Sequence, residues 1–114
     1  GDAALAPEYF TQAPSKAIPV ALARAGKKVE DVDFWEVNQA FSVVSLANMQ
    51  KLKLDPSKVD VNGGAVALGH PLGATGTRCL MTTINALERT NGNKGIVTIC
   101  LGGGNAVAML LERK

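Results

Sequence analysis

The sequence is poor in cysteine, histidine and aromatic residues. Its 114 residues include two cysteines, one histidine, one tryptophan, one tyrosine and three phenylalanines. Two cysteines cannot build a disulfide-rich framework, and no charged start followed by an apolar run marks a secretory signal, so we expect a reducing compartment. One histidine and two distant cysteines also fall short of a zinc-ligand set, so no metal is expected.

Long apolar runs and clusters of one charge are lacking as well. No stretch approaches the roughly 18 consecutive apolar residues of a membrane span. Twelve basic against ten acidic residues leave a net charge of +2, and no basic cluster is interleaved with aromatics as in nucleic-acid binders. We therefore expect neither a membrane nor a nucleic acid as partner. The glycine motifs that bind nucleotide phosphates are absent too.

The composition is that of a folded domain. Apolar residues make up 46% and charged residues 19% of the chain, which is typical of a single α/β unit with one core. The chain starts at Gly1 without a methionine and runs directly into a proline-punctuated loop, so we interpret it as a fragment of a longer protein.

The spacing of apolar residues predicts helices that alternate with strands. The predicted helices are 15–25, 39–52 and 75–88. The predicted strands are 32–37, 59–62, 96–101 and 106–111. Residues 1–13 are predicted to form a loop, and the last two strands a hairpin through residues 102–105.

Three local features refine these predictions. Pro19 should kink the first helix or delay its start. Asn38 is expected to cap the second helix, which is apolar nearly all round and should pack on the sheet under an outer cover. The order of elements places Asn38, the glycine-rich segment 63–76 and Cys100 at element ends, where α/β folds gather ligands.

Two side chains are candidates for chemistry. His70 stands among glycines and before a proline, so its ring is presented from an extended segment. Cys100 ends an apolar strand directly before three glycines, and its sulfur could face a cleft while the N–H of Gly102 points at a developing oxyanion. The ordinary interpretation is a loop histidine, a structural thiol and, for Cys79, a core or surface residue. A hydrolase with Cys100 as nucleophile and His70 as base also stays open.

Three blocks together resemble the C-terminal signature blocks of thiolases. They are Val37–Ser42 (VNQAFS), Gly63–Ala74 (GGAVALGHPLGA) and Cys100–Gly104 (CLGGG). The resemblance covers essentially the whole chain and is nearest to acetoacetyl-CoA thiolases. It implies a thiolase-like α/β fold in which residues 1–114 form a partial C-terminal domain, a mixed sheet packed by helices that lacks the first strands of its half.

The resemblance also implies roles for individual residues. His70 would activate the nucleophilic cysteine and, with a water held by Asn38, form an oxyanion hole for the thioester enolate. Cys100 would be the acid and base at the α-carbon, and Gly102 would lend its N–H to a second oxyanion hole.

Ala40 and Phe41, in the first block, are expected to contact substrate. The acylating cysteine of the family lies in the N-terminal half, so that half is an expected partner and the isolated chain should be inactive.

The implied activity of the intact protein is the condensation of two acetyl-CoA to acetoacetyl-CoA and CoA, or the reverse thiolysis, through an acyl-cysteine. Coenzyme A thioesters are then substrates, and no cofactor is expected. A homodimer or homotetramer in the cytoplasm or mitochondrion fits the family.

Two alternatives differ in kind from this activity. A decarboxylating condensing enzyme of the same superfamily would lack the Cys100 block. An inactive thiolase-like binding or assembly module is favoured by Gln39, which stands where most family members have glutamate.

Overall fold

The computed structural model describes all 114 residues as an α/β arrangement of four strands and four helices. The strands are β1 (Asp2–Ala4), β2 (Phe34–Val37), β3 (Lys94–Cys100) and β4 (Asn105–Glu112). The helices are α1 (Pro14–Arg24), α2 (Ser42–Leu52), α3 (Ala65–Leu68) and α4 (Thr75–Thr90). No helix has both the length and the apolar sequence that a membrane-spanning helix needs.

The strands form one mixed sheet in the order β1-β4-β3-β2. Strands β2 and β3 are parallel, with Val37 opposite Thr98, while β4 pairs antiparallel with both β3 and β1. The predicted hairpin is therefore confirmed, as is the expectation of a mixed sheet packed by helices.

Each face of the sheet is covered by a different helix. Successive strand residues point to opposite faces, so Trp35 packs with Ile18 of α1 in the main core, whereas Phe34 packs with Leu87 of α4. Gly95 also faces α4, and a Cβ there would lie 2.4 Å from the Cγ2 of Thr83. Strands β2 and β3 are thus buried on both faces, which explains their nearly continuous apolar sequences.

The topology collects the ends of three elements at one edge of the sheet. Because β2 and β3 are parallel, the chain between them must cross back over the sheet. Helix α4 makes that return and leads directly into β3. Its first residue, Thr75, therefore lies near the carboxyl ends of both strands, where Asn38 and Cys100 stand.

Two predicted regions have a different structure. The predicted loop over residues 1–13 contains β1, whose partner is β4 more than 100 residues later, and a 3-10 segment at Pro7–Gln12. The predicted strand 59–62 is wrong: Val59 makes only an isolated bridge to Trp35, and Asp60 has a φ of 48°, which ends any extended run.

The helix predictions need three corrections. Asn38 is not the cap of α2, because the helix begins at Ser42 with Phe41 at the cap position. Helix α2 packs mainly on α1 and the Pro7–Gln12 segment and reaches β2 through the bond from Ser45 to the carbonyl of Val37. Its outer side is not covered, because Val43 and Leu46 are exposed. Pro19 does not delay α1, which begins at Pro14 and includes it.

Candidate active site

A pocket with a volume of about 410 Å³ opens at the carboxyl end of β3. His70 and Thr75 line it from the α3–α4 side, and Cys100 and Gly102 line it from the strand side. The structure thus brings the imidazole and the thiol to one cavity, as the sequence blocks predicted. No group of three or more His, Cys, Asp or Glu side chains is placed to hold a metal ion.

One nitrogen of the half-buried His70 ring is held from two sides. Its Nδ1 lies 2.7 Å from the hydroxyl oxygen of Thr75 and 3.3 Å from the side-chain nitrogen of Asn38. Thr75 in turn donates its hydroxyl proton to the carbonyl of Pro71 at 3.0 Å. With Nδ1 engaged in this way, Nε2 is the ring nitrogen left for chemistry.

Asn38 is fully buried and fixed at both its backbone and its side chain. Its N–H donates to the carbonyl of Thr98 at 3.0 Å, which continues the β2–β3 ladder by one residue. Its side-chain oxygen accepts from Nη2 of Arg78 at 2.7 Å. Since the guanidinium can only donate, the amide oxygen must face Arg78 and the amide nitrogen must face His70.

Arg78 is itself anchored to a buried carboxylate. Its Nη1 donates to Oε1 of Glu36, a residue with no exposed surface. Burial and the nearby charge of Asp60 raise the pKa of Glu36 to about 7, and the contact with Arg78 opposes that rise. The other carboxylate oxygen has no hydrogen-bond partner, so the guanidinium is the main group that compensates this buried acid.

A second buried carboxylate holds the chain on both sides of Asn38. Asp60 accepts from the N–H of Val37 at 2.7 Å, the hydroxyl of Ser45 at 2.6 Å and the amide of Gln39 at 3.0 Å. Burial raises the pKa of Asp60. The side-chain amide of Gln39 is therefore held by the carboxylate of Asp60.

The two cysteines lie in different surroundings. Cys100 is 6% exposed and borders the pocket, and burial raises the pKa of its thiol, so it is protonated at neutral pH. Cys79 is fully buried on α4, does not line the pocket, and has its pKa raised to about 11 by burial. This placement agrees with the core role expected for Cys79.

Ala40 and Phe41, the expected substrate contacts, do not line the pocket. The ring of Phe41 is 58% exposed and meets Phe10 edge to face, with ring centroids 5.9 Å apart. Their contact with substrate stays a prediction.

Sequence reasoning missed four polar residues that support the site. They are Glu36, Asp60, Thr75 and Arg78. The one available signal was Glu36, an acid inside an otherwise apolar strand, since buried carboxylates are rarely left without a partner. Nothing local identified the other three as its neighbours.

Comparisons with known proteins agree with this picture. The family model described as "Thiolase, C-terminal domain" matches residues 1–113. Acetyl-CoA acetyltransferase 2 of Arabidopsis thaliana is 54% identical over 98% of this chain and 28% of its own length. The mitochondrial acetyl-CoA acetyltransferase of Bos taurus is 51% identical over 98% of this chain and 26% of its own.

A solved structure is similar over the same range. The Ascaris suum thiolase crystallised with coenzyme A superposes with a TM-score of 0.92 at 44% identity, over 99% of this chain and 29% of that one. The chain thus spans somewhat more than a quarter of the length of these relatives.

Proposed function

This chain belongs to the thiolase family as a C-terminal domain, and we propose that it supplies the proton-transfer part of the active site of an acetyl-CoA C-acetyltransferase. The proposed reaction is the condensation of two acetyl-CoA to acetoacetyl-CoA and CoA, or the reverse thiolysis. The single observation that carries this proposal is the pocket shared by His70 and Cys100, with Asn38 oriented toward the imidazole.

In the first half-reaction, a cysteine outside this chain gives its proton to Nε2 of His70 and attacks the thioester carbon. The bond between that carbon and the sulfur of CoA breaks. The leaving thiolate takes the proton of Cys100, whose raised pKa keeps it a thiol until then. An acyl-cysteine and a Cys100 thiolate result.

In the second half-reaction, the Cys100 thiolate removes a proton from the α-carbon of another acetyl-CoA. The enolate oxygen is bound by the protonated His70 and a water on Asn38. The enolate carbon then attacks the acyl-cysteine, whose oxyanion would be bound by the N–H of Gly102. The bond to sulfur breaks, and His70 returns its proton to the released cysteine.

The proposed partners follow from the large apolar side chains that this chain leaves exposed. Phe41, Leu46, Val66 and Leu72 are each more than half exposed, and Leu72 lines the pocket. We propose that the N-terminal half of the enzyme covers them. A homodimer or homotetramer, in the cytoplasm or the mitochondrion, completes the proposal.

The test is turnover by the full-length protein that carries this chain. With acetoacetyl-CoA and CoA, the ultraviolet absorbance of the acetoacetyl-CoA enolate should decay, His70→Ala should abolish the decay, and Cys79→Ala should retain it. An inactive binding module would take up CoA thioesters without consuming them. Undiminished turnover by His70→Ala would also contradict the proposal.

A further inference from the structure

Thr75 is buried beside His70 and makes the shorter of the two hydrogen-bond contacts to its ring. The residue is 1% exposed, opens α4, and touches Nδ1 at 2.7 Å. A threonine hydroxyl carries a single proton. The direction of that proton therefore decides whether Nδ1 of His70 accepts a hydrogen bond from Thr75 or donates one to it.

Thr75 has a second acceptor for its one proton. Its hydroxyl donates to the carbonyl of Pro71 at 3.0 Å, an i−4 bond within the first turn of the helix. With the Thr75 proton on that carbonyl, the oxygen of Thr75 accepts from His70, and the short contact then places a proton on Nδ1. In a neutral imidazole this leaves Nε2 without a proton.

The other neighbour of Nδ1 favours the opposite tautomer. The nitrogen of Asn38 that faces His70 can only donate, because its oxygen is bound by Arg78. An unprotonated Nδ1 would accept a hydrogen bond from that amide. The Asn38 contact is 3.3 Å long, however, whereas the Thr75 contact is 2.7 Å long. Thr75 and Asn38 thus favour different tautomers of the neutral imidazole, and Thr75 makes the shorter contact.

We propose that Thr75 is a positioning residue that keeps the proton of neutral His70 on Nδ1 and so leaves Nε2 as the free base. This inference rests on the proposed function for its role in catalysis, since Nε2 must accept the proton of the acylating cysteine. After that transfer, Nδ1–H still donates to Thr75, and Nε2–H becomes the donor that an enolate oxygen needs.

The test reads the tautomer directly. In the full-length protein labelled with 15N-histidine, the His70 signals are identified by their loss in His70→Asn, at a pH about two units above the ordinary histidine pKa of ~6.5. Wild type and Thr75→Ser should show the proton on Nδ1. Thr75→Val, which keeps the shape but removes the hydroxyl, should show it on Nε2.

Turnover provides the second readout. Loss of a positioned base lowers rates by about 10²-fold or more, so kcat should fall by about that factor in Thr75→Val and stay within about threefold in Thr75→Ser. If Thr75→Val does not fold, Thr75→Ala replaces it, with thermal unfolding as the check.

Two results would overturn the proposal: a proton on Nε2 in the wild type, or on Nδ1 in Thr75→Val. If the tautomer shifts in Thr75→Val but the wild-type protein has no thiolase turnover, Thr75 does set the tautomer of His70 and the proposed function is refuted.

Discussion

Arg78 donates to the side-chain oxygen of Asn38 at 2.7 Å, and this bond decides which end of the amide faces His70. The same guanidinium binds the fully buried Glu36. One arginine thus joins a buried acid to the residue that would hold the oxyanion water, so the orientation of Asn38 depends on a buried ion pair.

Replacing Arg78 should be strongly destabilising. Arg78→Met removes the donor to Glu36, and at a pH of about 8.5, where the wild-type carboxyl is ionised, it should lower the free energy of unfolding by up to about 3–5 kcal/mol, the loss found in comparable pairs. Urea unfolding monitored by the fluorescence of Trp35 measures the loss. The double variant Glu36→Gln/Arg78→Met should recover most of it, and a single variant within about 0.5 kcal/mol of wild type would show that the pair does not anchor the site.

Positions 39 and 60 should behave as a coupled pair. Gln39→Glu places a second carboxylate against Asp60, whose oxygen now lies 3.0 Å from the amide nitrogen, and should destabilise the fold. Adding Asp60→Asn exchanges donor and acceptor and should restore most of the stability. A double-mutant cycle in urea should give a coupling of about 0.5–3 kcal/mol, whereas strict additivity would mean that the contact carries no energy.

The buried acid also predicts a pH dependence. The pKa of Glu36 is raised from 4.5 to about 7 in the folded state, so the folded protein binds more protons than the unfolded chain between these values. The contribution of Glu36 to stability is therefore fully present below pH 4.5 and is lost as the pH rises through 7.

Each unit of that shift corresponds to about 1.4 kcal/mol. Unfolding free energies measured at intervals across this range should show the stability of wild type falling relative to Glu36→Gln as the pH increases. Asp60, with its own raised pKa, is common to both proteins. A pH-independent difference between them would contradict the account.

Two glycines beyond Cys100 should respond differently to alanine. Gly104 has a φ of +96°, and a Cβ there would lie 2.1 Å from the carbonyl oxygen of Leu5. Gly104→Ala should therefore lower the thermal midpoint by several degrees, as expected for a loss of about 1–3 kcal/mol. Gly102→Ala meets nothing within 4 Å and serves as the control, with little change in stability.

The sequence predicted the site better than the framework that supports it. His70 and Cys100 are singled out because three sequence blocks together resemble those of thiolases, since each residue alone has an ordinary structural interpretation. The pairing of Arg78 with Glu36 spans 42 residues, and that of β1 with β4 about 100, distances at which local patterns carry no information. The strong local preference of asparagine predicts a helix cap at position 38, but the side chain of Asn38 makes buried contacts with Arg78 and His70 instead.

Hydrogen exchange at the methyl group of acetyl-CoA tests the central claim, that Cys100 is the acid and base of the pocket. The full-length protein in D2O should incorporate deuterium into acetyl-CoA, and Cys100→Ser should lower that rate by at least about 10²-fold, while Cys79→Ala keeps it. Exchange by Cys100→Ser at the wild-type rate would mean that another group removes and returns the α-proton, and it would contradict the account.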